Sequence, residues 1–162
     1  MTFRGHIMVG ITTYFVAVVP IVVWILYRQN WIYKELWYYW WELLICFGLC
    51  LIGAMFPDVD IKSKSQRIIY SILIPIDLIL ILFTYYRAAA ILGFFAIIPN
   101  TFKHRGVTHS PLAALILPSP LLIVPALADG RLEYQQMGVS YYIATMFGYM
   151  SHLIADRKRR DR

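Results

Sequence analysis

The sequence predicts an all-α fold, a polytopic transmembrane bundle of about six helices, and three observations carry that reading. Of the 162 residues 60% are hydrophobic and only 15% are charged, whereas soluble domains average roughly a quarter charged. Apolar runs approaching the length of a bilayer crossing, about 20 residues, recur along the whole chain. The charged residues and histidines fall mainly between those runs. No length remains for a separate soluble domain, so residues 1–162 read as one helical unit that ends in a short basic tail, 157–162.

Runs between charges place helices near 7–27, 37–56, 68–86, 88–102, 111–128 and 139–155. The first follows Arg4 and resembles a signal peptide, but it is long and lacks a small-residue cleavage site, so a retained helix is expected. The fourth is short. The fifth holds Pro118, Pro120 and Pro125, each of which removes a backbone donor, so a kink is expected and a re-entrant pair with the fourth is the alternative to two crossings. Cys46 and Cys50 lie four apart within one apolar run, a spacing that suits packed thiols rather than a disulfide.

Charge then assigns a side. If all six helices cross, Arg4, Lys62, Lys64, Arg67, Lys103, Arg105, Arg157, Lys158, Arg159, Arg160 and Arg162 share one side. Only Arg28, Lys34, Arg87 and Arg131 lie on the other. Cytoplasmic loops retain Lys and Arg, so eleven against four puts both termini in the cytoplasm. The net charge of +6 is therefore read as topology, and nucleic acid is not an expected partner. The stretch "WIYKELWYYWW" falls at the opposite interface, where Trp and Tyr anchor helices between headgroups and tails.

All four histidines, His6, His104, His109 and His152, fall at the cytoplasmic end of this arrangement, together with Asp58, Asp60 and Asp156. In "MFPDVDIKSKSQR", Pro57 should end the second helix, and an extended Asp-Val-Asp would point both acids one way. Carboxylates so close repel unless a cation or proton intervenes; a solvated acidic loop is the simpler alternative. In "GYMSHLIAD", His152 and Asp156 share a helical face and can ligate one ion or bond to each other, while RKRR could compensate the acid. In "KHRGVTHS", His104 and His109 flank a glycine, Thr108 or Ser110 can cap the next helix, and Pro111 suits its first turn. His6 is followed by Gly10 at helical spacing. Histidine and aspartate without thiolates suit zinc, manganese or iron, and seven candidates suffice for two ions. Asp77 lies within the third apolar run beside Pro75, where either a structural hydrogen bond or a functional role is expected.

"PDVDIKSKSQR", "HRGVTHS" and "GYMSHLIAD", in that order and separated by apolar helices, resemble the bacterial and archaeal YdjM-like proteins, a family of predicted membrane-bound metal-dependent hydrolases. The resemblance spans residues 6–156, and HRGxTHS is its most specific part. That family is in turn similar to zinc-dependent phospholipase C and P1 nuclease, whose all-helical sites bind zinc through His and Asp, including a His-x-x-x-Asp helix. The resemblance implies His6, Asp58, Asp60, His104, His109, His152 and Asp156 as metal ligands. Gly5 departs from it, standing where family members commonly have Thr before the N-terminal His.

The expected activity is metal-assisted hydrolysis of a phosphoester in a lipid or lipid-linked substrate at the cytoplasmic face of a bacterial or archaeal inner membrane. Asp58 or Asp60 would serve as base. Lys62, Lys64, Arg67 and Arg105 would hold phosphate oxygens, or equally attract anionic headgroups of membrane lipid. Two competing classes are a metal-ion or proton-coupled transporter, whose site belongs near the midplane, and a noncatalytic adaptor whose metal only fastens loops.

Overall fold

The computed structural model describes residues 3–28, 40–60, 63–101, 107–122 and 132–160. Among these the backbone is helical, with no strand. Helix α1 (Phe3–Arg28) widens into a π turn over Tyr14–Val18, where the Val19 N–H reaches back to the Tyr14 carbonyl. Pro20 accounts for the position. It cannot donate to Val16 and its ring would crowd that carbonyl, so the helix loosens just ahead of it.

Helix α2 (Trp40–Met55) runs into a 3₁₀ turn over Phe56–Asp60, because Pro57 disfavours the α conformation at Phe56. Helix α3 (Lys64–Leu82) starts at Ser63, whose hydroxyl accepts the Gln66 N–H at 3.1 Å, the usual way to satisfy an orphan donor at a helix start. Helix α4 (Tyr86–Thr101) returns alongside it, fastened by the Tyr70 hydroxyl donating to the Ala96 carbonyl at 2.7 Å. Helix α5 (Pro111–Ile116) begins as expected, with Pro111 in its first turn and the Ser110 hydroxyl accepting the Ala113 N–H. It gives way to a turn at 117–119, where Pro118 and Pro120, on either side of Ser119, each remove a helical donor. Pro125 lies outside the described residues. Helix α6 (Leu132–Arg160) closes the fold.

Among the described residues three helices are long and apolar enough to cross a membrane: α1, the segment Trp40–Val59 and α3. The remaining apolar helices, Tyr86–Ile97 and Pro111–Leu122, are shorter. At 29 residues α6 has the length, but Ser140, Thr145, Ser151 and His152, all buried, dilute its apolar character. The polar side chains sit on α6 because it is the central helix, flanked by α1, α2 and α5.

Small residues let α2 and α6 approach until their backbones touch. A Cβ at Gly53 would stand 2.2 Å from the Thr145 carbonyl oxygen, and one at Gly148 only 2.0 Å from that of Cys50. Helix α1 joins the pair where Gly10 meets Ala54, an added Cβ falling 2.9 Å from the alanine Cβ. This is how apolar helices associate in lipid, where packing rather than hydrophobicity selects the partner. Around the seam Tyr14, Val18, Val22, Leu26, Cys46, Cys50 and Ala144 form the main core. Cys46 and Cys50 are free, buried thiols, as their spacing indicated, and the Cys50 thiol points to the Gly10 carbonyl. By contrast α3 presents Ile74, Leu78 and Leu82 outward, a surface suited to acyl chains. Asp77 turns from that surface toward Gly93 of α4, and its Oδ1 is buried without a hydrogen-bond partner among the described residues.

Candidate metal centre

The end of the bundle where α1 begins and α6 ends gathers five of the seven proposed ligands: His6, Asp58, His109, His152 and Asp156. Each arrives for a local reason. His6 projects from the second turn of α1 and is buried, its ring stacked on that of His152 at 3.8 Å between centroids and 11° between planes. Asp58 sits in the 3₁₀ turn after α2. The Ser63 hydroxyl donates to the Asp58 carbonyl at 2.8 Å, and the Gln66 amide donates to that of Val59 at 3.0 Å, so the cap of α3 also holds this turn. His109 ends the 3₁₀ turn Val107–His109. His152 and Asp156 are one turn apart on α6, as their spacing required.

One atom defines the electrostatics. His152 is fully buried, and its Nδ1 lies 2.7 Å from the Ala54 carbonyl oxygen. A carbonyl only accepts, so Nδ1 carries a proton, and in the neutral imidazole Nε2 is the nitrogen that offers a lone pair. That Nε2 is buried without a hydrogen-bond partner among the described residues, yet lies 3.4 Å from Asp156 Oδ2 and 3.7 Å from Asp58 Oδ1. A lone pair facing two carboxylates is repulsive, and a cation or proton placed among them reverses the sign. His6 Nε2 stands 3.5 Å from Asp156 Oδ1, and His109 Nε2 stands 3.9 Å from Asp58 Oδ1.

The spacing fits a small ion. Ligand bonds of about 2.0–2.2 Å in a tetrahedron place neighbouring donor atoms roughly 3.3–3.6 Å apart, close to the separations here. Two triads, His6 with Asp58 and His152, and His109 with His152 and Asp156, each have donor atoms within 4.8 Å of one another. They share His152. The Ala54 carbonyl also orients that ring as metal-bound imidazoles are commonly oriented.

The acidic segment differs from its expected form. Phe56–Asp60 is a 3₁₀ turn, so Asp58 and Asp60 are not aligned by a pleat; the buried Val59 claims the inward position and Pro57 sets the curl. The placement of the Asp60 side chain lies outside the described residues, as do Lys62, Lys103, His104 and Arg105. Lys64 and Arg67 are exposed in the first turn of α3. Thr108 is not the cap of α5. It is buried, its hydroxyl lies 3.3 Å from His109 Nδ1, and its carbonyl accepts the Tyr149 hydroxyl. Two polar residues escaped the sequence reading. Tyr149 is one; Glu42 is the other, buried in α2 beside Ser140 with its Oε2 unpartnered among the described residues. An acid inside an apolar run is the signal that could have found Glu42.

The model of the family described as YdjM inner membrane protein matches residues 1–158. The chain belongs to the YdjM inner membrane protein family. No curated protein and no solved structure matches it. Membership agrees with three helices of membrane-crossing length and carries a location rather than a reaction.

Proposed function

We propose that this YdjM family member is a membrane-embedded metal-dependent hydrolase acting on a phosphoester of a lipid or lipid-linked substrate at the cytoplasmic membrane face. The observation that carries this reading is the orphaned Nε2 of His152, buried between two carboxylates and aimed where an ion would sit. His6, Asp58, His109, His152 and Asp156 would hold the ion, with zinc the best match to a His and carboxylate set and manganese or iron the alternatives. Asp60 and His104 remain candidates for a second. A bound divalent ion would supply Lewis acidity toward a phosphoryl oxygen and a water that is easier to deprotonate.

The chain's own residues do the rest. Whichever of Asp58 and Asp60 is not engaged as a ligand accepts the proton of the attacking water. The water oxygen then bonds to phosphorus as the ester P–O bond breaks, and the proton ends on the departing alcohol. Arg105, with Lys62, Lys64 and Arg67, would hold phosphate oxygens through charged hydrogen bonds. The basic residues on this side support a cytoplasmic location, from which a lipid headgroup would reach the ligands while its tails stay in the bilayer.

Asp77 and Glu42 favour a second reading, a metal-ion or proton-coupled transporter, since acids inside a membrane usually line a pathway. The histidine and aspartate cluster at one end of the bundle favours the enzyme over a midplane transport site. The test is a phosphoesterase panel of phospholipid, polyprenyl phosphate and a soluble aryl phosphate, using protein stripped with chelator and restored with zinc or manganese. Metal-restored cleavage of a lipid substrate is expected. Metal-dependent flux in proteoliposomes without turnover on any substrate would replace the hydrolase with the transporter.

A further inference from the structure

We infer that Tyr149 is the positioning residue that sets the geometry of this metal centre, an inference that rests on the metal-site reading above. Of the four ligand-bearing segments, α6 carries this side chain, and the turns that bear Asp58 and His109 reach it from distant parts of the chain. Tyr149 belongs to α6, one turn before His152. Its ring packs against Phe56, 6.2 Å between centroids, at the start of the turn that carries Asp58. Its hydroxyl donates to the backbone carbonyl of Thr108, and Thr108 is followed directly by His109.

The arrangement reaches the ligand atom. With Thr108 held by its carbonyl, its own hydroxyl lies beside His109 Nδ1, which leaves His109 Nε2 facing Asp58. The imidazole rings of His109 and His152 meet edge to face at 5.7 Å, so a shift of the 3₁₀ turn would alter both triads. Tyr149 is itself buried and packed among Ala113, Ala114 and Leu153. Its hydroxyl is thus presented from a rigid mount rather than a mobile one, and partners that orient metal ligands typically change affinity about 10–100-fold when removed.

Tyr149→Phe deletes one oxygen and keeps the ring. Tyr142→Phe is its control, because the Tyr142 hydroxyl also donates from α6 to a carbonyl of α5, that of Leu115, at 3.0 Å. Zinc affinity of the full chain in detergent should fall about tenfold or more in Tyr149→Phe and stay at the wild-type value in Tyr142→Phe. The visible spectrum of the cobalt-loaded protein should change only in Tyr149→Phe. Equal zinc affinity in Tyr149→Phe and wild type, or an equal loss in both variants, would overturn the positioning role while leaving the metal site standing. Wild-type protein that binds neither zinc nor cobalt would instead remove the reading on which the role rests.

Discussion

His152→Ala is expected to abolish both phosphoester hydrolysis and the stabilisation of the protein by zinc. Both triads contain His152, so no subset of the described ligands survives its loss intact. Zinc at a thousandfold excess over its dissociation constant should stabilise the wild-type fold by about 4 kcal/mol, which for a domain of this size raises the melting temperature by about 10 °C. In the variant that rise should vanish. The unloaded variant should fold, because the seam of Gly53 and Gly148 lies deeper along α6 and is untouched. Thermal melts in detergent, with and without added zinc, read the effect. A full zinc-induced rise in His152→Ala would show that the orphaned nitrogen binds nothing.

The largest effect on stability is expected at Gly148. A single Cβ there would lie 2.0 Å from the Cys50 carbonyl oxygen and 3.1 Å from the Ala54 backbone nitrogen, and backbone cannot yield as a side-chain tip can. Gly148→Ala should therefore prise α2 from α6. Overpacking of this kind costs about 3 kcal/mol or more at a rigid contact. The loss should reach the site as well, because the next turn of the same seam carries the contact between His152 and the Ala54 carbonyl. Gly48→Ala supplies the comparison. No atom lies within 4 Å of a Cβ at Gly48, and alanine favours a helix by up to about 1 kcal/mol over glycine, so that variant should melt no lower than wild type. Equal destabilisation by the two substitutions would remove the close approach of α2 and α6 from the account.

Much of the fold is legible in the sequence because each helix is written as an apolar run bounded by charge. Expected helices at 7–27 and 37–56 correspond to α1 and α2, the stop at Pro57 follows from chemistry that needs no tertiary context, and the kink expected within 111–128 is a full break after Ile116. Hydropathy alone starts α3 at 68, later than its observed start at Lys64. Ser63 caps it and Lys64 to Arg67 form its first turn, polar residues that hydropathy excludes from a helix though local capping admits them. The expected helix at 139–155 is likewise shorter than α6 at both ends, since the polar first and last turns carry no apolar signal.

The candidate ligands were legible as residue types, and the pairing of His152 with Asp156 as a helical spacing. What could not be read was how they converge. The stacking of His6 on His152 depends on α1 and α6 meeting the same turn of α2, which the glycines permit without announcing it. The curl of Asp58 depends on Ser63 and Gln66 binding the carbonyls of the turn, whereas period-two reasoning applies only to an extended chain. Tyr149 carries no signal in one dimension, because an aromatic residue in an apolar helix is ordinarily just packing. Glu42 stands next to the interfacial aromatic stretch, and its burial beside Ser140 of α6 depends on the packing of two helices.

The central claim is that this end of the bundle is a metal centre, and elemental analysis of the purified chain tests it most directly. After incubation with zinc and washing in detergent without chelator, the wild-type protein should retain at least one zinc, manganese or iron per chain, and His152→Ala should retain none. Wild-type protein that emerges folded and metal-free, or that holds no more metal than His152→Ala, would contradict it.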